Sequence, residues 1–192
     1  MLDIWSVACY NNGIMKKQIE KAITFATKAH EGQTRKYTGE PYIVHPLAVM
    51  ETVKTVEHTD EMLMAAVLHD TVEDCDVTLD QIAFHFGHPV ADLVEELTDI
   101  SKPEDGNRAV RKAMDREHSA QASSQGQTIK MADLLDNTKS ITEHDKDFAQ
   151  VYMKEKDQLV QLLVKADKTL LEKAQKKVDM WFNRVHNNGI IK

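Results

Sequence analysis

Two cysteines, Cys9 and Cys75, are all that this chain of 192 residues contains, which excludes a disulfide framework and suits a reducing compartment. No apolar run reaches the roughly eighteen uninterrupted residues that a membrane helix needs, so no membrane partner is expected and the cytoplasm is the default location. The opening MLDIWSVACYNNG is apolar but has no basic residues ahead of it, Lys16 and Lys17 following it instead, and is not read as a signal peptide. A basic excess is missing as well: the formal net charge is −7, which speaks against a general nucleic-acid binder, because such proteins present a net basic face. A local basic patch for a small phosphorylated ligand is compatible with that balance. Strand-like alternation, internal repeats and long linkers are absent. Hydrophobic residues make up 42% and charged residues 29% of the chain, enough for one domain with its own core. The domain is placed at residues 15–192, with residues 1–14 as a tail.

What is present is helical periodicity. Ile19, Ile23 and Ala26 form a stripe over residues 15–29. The segment HEGQTRKYTGEPYIVH, residues 30–45, then loses periodicity and reads as an ordered loop. Pro46 suits the first turn of a helix with Val49, Val53 and Val56 inside, and a central helix follows from about Asp60. Thr78 and Gln81 have capping-box spacing, Gly87 is placed to end that helix, and Pro89 to open the next. SKPEDGN, residues 101–107, is a polar loop, and SSQGQ, residues 123–127, is read as a break before a helix beginning at Ile129. A long helix carries Phe148 to Leu163, and a last one is capped by Thr169 and Glu172. The expected fold is all-α, a single bundle of about eight helices.

The stretch LMAAVLHDTVEDCD, residues 63–76, is the densest in chemistry. Its first half is apolar, and its second sets His69 beside Asp70 and returns to acid at Glu73, Asp74 and Asp76. Acids at a helix C-terminus are disfavoured by about 0.3–1 kcal/mol each, so a positive partner is required, and a divalent metal is the simplest. His45, His69, Asp70 and Asp133 are candidate ligands from separated segments. Imidazole and carboxylate with room for water suit Mn²⁺, Fe²⁺ or a similar first-row ion better than a closed zinc site, with manganese first. Each residue taken alone also has a plainer reading: His45 as a cap before a proline, Asp133 as a solvated acid, as Asp136 beside it is read. Together they are harder to dismiss, since polar groups near a core are costly unless paired or coordinated.

The pieces RKYTGEPYIVHP (35–46), LHDTVED (68–74), EELT (95–98) and IKMADLLDN (129–137) resemble, in order and spacing, the HD-domain phosphohydrolases, and more closely the hydrolase half of the RelA/SpoT alarmone enzymes and their small stand-alone relatives. The likeness runs from about residue 16 to residue 165. It implies an HD-type bundle in which His45, His69, Asp70 and Asp133 hold one Mn²⁺. It further implies that Glu73 and Asp74 act on the attacking water and the phosphate, and that Arg35, Lys36, Asn137 and Glu95 serve the nucleotide. Leu134 stands where family members often carry a basic or polar residue, and Thr138 and Lys139 also depart from the usual continuation, which puts nucleotide specificity in question.

The implied activity is hydrolysis of guanosine tetraphosphate or pentaphosphate at its 3′-pyrophosphate. The length leaves no room for the synthetase and regulatory domains of the long enzymes, so degradation alone is expected. Two alternatives stand beside it: an HD phosphohydrolase acting on another phosphorylated nucleotide such as NADPH, and a nucleotide-binding sensor that turns nothing over. The partner in each case is a small nucleotide, and a homodimer is one assembly the sequence allows.

Overall fold

The structure, a computed structural model, describes residues 4–187, with side chains from residue 15 onward. It is all-α: ten α-helices and one 3₁₀ turn among the described residues, with a single isolated bridge between Thr34 and Pro41. The helices are α1 (Ile4–Ala29), α2 (Val44–Val53), α3 (Asp60–Leu68), α4 (Thr71–Asp74), α5 (Leu79–Phe86), α6 (His88–Leu97), α7 (Arg108–Gln121), α8 (Ser124–His144), α9 (Lys146–Leu162) and α10 (Lys168–Asn187). The count exceeds eight in part because α4 stands as a separate single turn after the His69–Asp70 bend. Much of the segment expected as a tail lies within α1, while residues 1–3 are outside the described residues.

The core is built around α3. Every residue from Met62 to Leu68 is buried, as a helix apolar on all sides requires, and α1, α2, α6 and α8 pack against it. Burial of side chains such as Leu68, Ile129 and Leu134 stabilises by about 1.5–3 kcal/mol each. The Thr59 side chain caps the N-terminus of α3. At its other end the Thr71 hydroxyl donates to the Leu68 carbonyl at 2.7 Å, which satisfies a terminal acceptor and lets the chain turn at His69–Asp70. The capping box at Thr78 and Gln81 is formed, and Gly87, at φ 90°, ends α5 as expected.

Two boundaries differ from the sequence reading. The break expected over residues 123–127 is confined to Ala122–Ser123: Ser123 caps α8 by accepting from the Gly126 N–H at 3.0 Å. The cap of α10 is Asp167, whose Oδ1 accepts from the N–H groups of Thr169 and Leu170, ahead of the expected cap at Thr169.

Gly126 is where α8 meets α6. A Cβ there would stand 2.2 Å from Glu96 Oε2, the oxygen that accepts from both Ser123 N–H (3.1 Å) and Ser123 Oγ (2.7 Å). In an open helix Gly→Ala gains about 0.5–1 kcal/mol. Here G126A displaces Glu96 and forfeits two hydrogen bonds to a charged acceptor, each about 1.5–3 kcal/mol. A net loss of about 2–5 kcal/mol is expected in chemical denaturation; a variant as stable as the parent would contradict this packing.

Candidate metal centre and substrate cleft

Three places in the fold deliver the proposed ligands to one point. His45 is in the first turn of α2, His69 and Asp70 form the bend between α3 and α4, and Asp133 sits mid-way along α8. His45 Nε2 lies 3.2 Å from Asp133 Oδ1 and 3.6 Å from Asp70 Oδ2. His69 Nε2 lies 3.1 Å from Asp70 Oδ2 and 3.9 Å from Asp133 Oδ1. Both rings are buried, at 1% and 3% exposure.

Tautomers follow from the outer bonds. His69 Nδ1 is 2.9 Å from the Ala66 carbonyl, which only accepts, so Nδ1 carries the hydrogen. The Nε2 lone pair then faces inward, buried and with no hydrogen-bond partner among the described residues; the Asp70 oxygen is close but not aligned as an acceptor. His45 Nδ1 donates to Asp136 Oδ2 at 2.6 Å, which likewise turns Nε2 towards Asp133 and Asp70. Two neutral imidazoles and two carboxylates carry −2 between them. That donor set, with an orphaned inward lone pair, fits a divalent cation.

Without an ion the same groups hold protons. Burial by itself would lower His45, but hydrogen bonds to Asp133 and Asp136 outweigh it and raise its pKa to about 9. Burial opposes the charged form of Asp70, yet the His69 and His45 charges hold it well below the usual carboxylate range. Burial likewise opposes Asp133, which its bond to His45 and the Lys130 charge bring well down. Because the folded pKa of His45 exceeds the ordinary 6.5, its protonation stabilises the metal-free fold fully below about pH 6.5 and ceases to do so as pH rises through about 9. A cation must displace that proton. Affinity for Mn²⁺ is therefore expected to rise up to about tenfold per pH unit towards pH 9 and then level off. Titration calorimetry at several pH values checks this, and a pH-independent affinity between about 6 and 8 would contradict it.

Asp70 and Asp133 line a cleft of about 370 Å³ together with Tyr42, Glu73, Asp74, Asn137 and Tyr152, and the two imidazoles lie buried behind them. Glu73 and Asp74 sit on α4 at its open side. Glu73 Oε2 accepts from the Asp99 N–H at 3.2 Å. Burial, then the Asp99 charge, raise the Glu73 pKa; burial, then the Asp70 charge, raise that of Asp74. Asn137 Nδ2 donates to Asp133 Oδ1 at 2.6 Å.

Other expected site residues are placed differently. Arg35 is largely buried and donates to Asn137 Oδ1 (3.2 Å) and Asp136 Oδ2 (3.1 Å), beside the cleft. Lys36 is 74% exposed and turned to Tyr37 and Asp145, because the turn after Arg35 points successive side chains apart. Glu95 is exposed and does not line the cleft; its carbonyl accepts from His118. The cleft acid from that segment is Asp99.

Several side chains escaped the sequence reading. Asp136 is not a solvated acid but the acceptor of His45 and Arg35; its i+3 relation to Asp133 on α8 is the signal that it faces the same way. The Tyr42 hydroxyl donates to Asp70 Oδ2 at 2.7 Å. Arg108, Lys112 and Arg116, four apart on α7, line the far side of the cleft with Lys130 and Lys156. That i, i+4, i+8 spacing was legible, but nothing in the sequence said which way α7 faces.

The family model for the HD domain matches residues 22–163. The chain belongs to the HD domain family. Within it, this HD domain is 39% identical over 132 residues to the guanosine-3′,5′-bis(diphosphate) 3′-pyrophosphohydrolase MESH1 of Xenopus tropicalis, covering 64% of this chain and 69% of that one. It is 45% identical over 84 residues to the enzyme of the same activity name from Vibrio cholerae, covering 44% of this chain but 12% of that one. The chain thus spans about an eighth of the length of the long bacterial relative. A solved structure described as a metazoan ortholog of SpoT that hydrolyzes ppGpp superposes with a TM-score of 0.76 at 26% identity, covering 91% of this chain and 97% of that one. The kinship with RelA/SpoT-type enzymes expected from the four motifs therefore holds over nearly the whole fold.

Proposed function

We propose that this HD domain is a cytoplasmic, Mn²⁺-dependent pyrophosphohydrolase that converts guanosine-3′,5′-bis(diphosphate), or its pentaphosphate, to GDP or GTP and pyrophosphate. The observation that carries this reading is the convergence of two imidazole Nε2 atoms and two carboxylates, with Glu73 and Asp74 beside them on the open side. The names and activities of the relatives at 38–46% identity point to the substrate.

His45, His69, Asp70 and Asp133 would hold the ion. When bound, such a cation acidifies water and draws charge from phosphoryl oxygens. Glu73 and Asp74, whose raised pKa values suit proton exchange nearer neutrality, orient the attacking water and take its proton. The water oxygen bonds to phosphorus, the bond from phosphorus to the ribose 3′-oxygen breaks, and the proton returns to that oxygen as pyrophosphate leaves. The Tyr42 hydroxyl keeps Asp70 aimed.

On the opposite wall, Lys112 is paired with Asp99 and Asp115, and Arg108 with Glu155. Lys156 and Arg116 have no ion-pair partner within 4 Å among the described residues, leaving cationic capacity for a polyphosphate. With both edges of its guanidinium held by Asn137 and Asp136, Arg35 offers a fixed face on which a purine can stack.

The test is incubation of the Mn²⁺-loaded protein with guanosine-3′,5′-bis(diphosphate) and, separately, NADPH. Stoichiometric pyrophosphate from the first is expected. Absence of pyrophosphate while bound metal is verified, or phosphate from NADPH alone, would overturn the substrate assignment.

A further inference from the structure

The side chains around the metal floor close into a ring. Arg35 Nη2 donates to Asp136 Oδ2 (3.1 Å), which also accepts from His45 Nδ1 (2.6 Å). His45 Nε2 faces Asp133 Oδ1 at 3.2 Å, Asn137 Nδ2 donates to that same oxygen at 2.6 Å, and Asn137 Oδ1 accepts from Arg35 Nη1 at 3.2 Å. Three members, Asp133, Asp136 and Asn137, come from one stretch of α8 spaced by three and four residues, so they share a face. The other two reach it from the loop before α2 and from α2 itself.

Within the ring one oxygen, Asp136 Oδ2, serves the metal side and the nucleotide side at once. We propose that Asp136 is a positioning residue for both: it fixes the tautomer and ring angle of His45 for the cation, and it fixes the guanidinium plane of Arg35 for the base. Rotation of the Asp136 carboxyl is transmitted to both, so metal loading and nucleotide binding are coupled through it. This rests on the metal-dependent reading above.

A carboxylate behind a ligating imidazole raises its basicity and holds its orientation, and loss of such a partner weakens metal binding about 10–100-fold. The Arg35 contact explains why the carboxylate persists with its charge offset in a half-buried place: its side chain is 24% exposed and lies between the two cationic or hydrogen-donating groups it serves. An amide in place of the Asp136 carboxylate keeps the volume and one oxygen that can still accept from both donors, but it loses the negative charge that strengthens both bonds.

The experiment is calorimetric titration of Mn²⁺ into wild type and D136N, with and without a saturating non-hydrolysable guanosine nucleotide. Wild type is expected to bind one Mn²⁺, and more tightly with the nucleotide present. D136N is expected to bind Mn²⁺ about 10–100-fold more weakly and to lose most of the nucleotide's enhancement, while R35Q, which spares the Asp136–His45 bond, keeps the metal affinity within a few-fold and loses the enhancement. Equal Mn²⁺ affinity in wild type and D136N would overturn the proposal, whereas no Mn²⁺ binding by wild type would instead overturn the metal-dependent reading. Should D136N not fold, long-range ¹H–¹⁵N spectra of Zn²⁺-loaded wild type decide the matter: a strongly downfield proton on His45 Nδ1 is expected, and a His45 metallated through Nδ1 would refute it.

Discussion

E73Q/D74N is expected to lower kcat about a thousandfold, in the middle of the range that positioned acid–base groups supply, while the dissociation constant for nucleotide changes only a few-fold. Both amides are isosteric with the acids they replace, and the amide oxygen introduced by Glu73→Gln retains the bond from the Asp99 N–H. Neither side chain belongs to the ligand set, so bound Mn²⁺ is unchanged. What is lost is the ability to accept the proton of the attacking water, for which the two acids are prepared by burial and by the neighbouring Asp99 and Asp70 charges. Single-turnover kinetics with binding measured separately makes the distinction. Turnover within about tenfold of wild type would remove these residues from the chemistry, and loss of binding in step with turnover would favour a nucleotide sensor over an enzyme.

D133N acts one layer deeper. The substitution preserves volume and leaves a carbonyl that still accepts from Asn137, but it halves the negative charge of the ligand set and removes the carboxylate that faces both imidazoles. Mn²⁺ affinity is expected to fall by more than the roughly hundredfold that outer-shell changes reach, and activity at micromolar Mn²⁺ to vanish. A thermal readout gives the same answer independently: at a metal concentration of about 100 Kd the wild-type fold gains about 2.7 kcal/mol, and D133N gains less than about 0.4 kcal/mol under the same conditions. An equal Mn²⁺-induced stabilisation in both proteins would place the cation elsewhere.

How far the sequence carried these conclusions can be judged residue by residue. Helices with a clean apolar stripe or a side-chain cap, α3, α5 and α6 among them, were legible because their periodicity and capping are local properties. The boundary at 123–127 was misjudged because Gly126 reads as a breaker only in isolation; its small size is demanded by Glu96, distant in sequence and adjacent in space. His45, His69, Asp70 and Asp133 stood out because ionisable groups on otherwise apolar faces need partners. Asp136 was passed over for the opposite reason, since an acid on a polar stretch of helix looks solvated until the loop carrying Arg35 is seen to fold across it. Lys36 and Glu95 show the converse: their motifs were recognisable, but the direction of a side chain depends on the turn that carries it, and neither lines the cleft. The basic wall on α7 needed tertiary packing to be oriented at all.

The most direct measurement is anomalous diffraction at the manganese edge from crystals grown with Mn²⁺. One strong peak is expected, enclosed by His45 Nε2, His69 Nε2 and carboxylate oxygens of Asp70 and Asp133. A well-ordered structure in which those four side chains surround no peak, or in which manganese sits away from them, would contradict a metal-dependent hydrolase built on this floor.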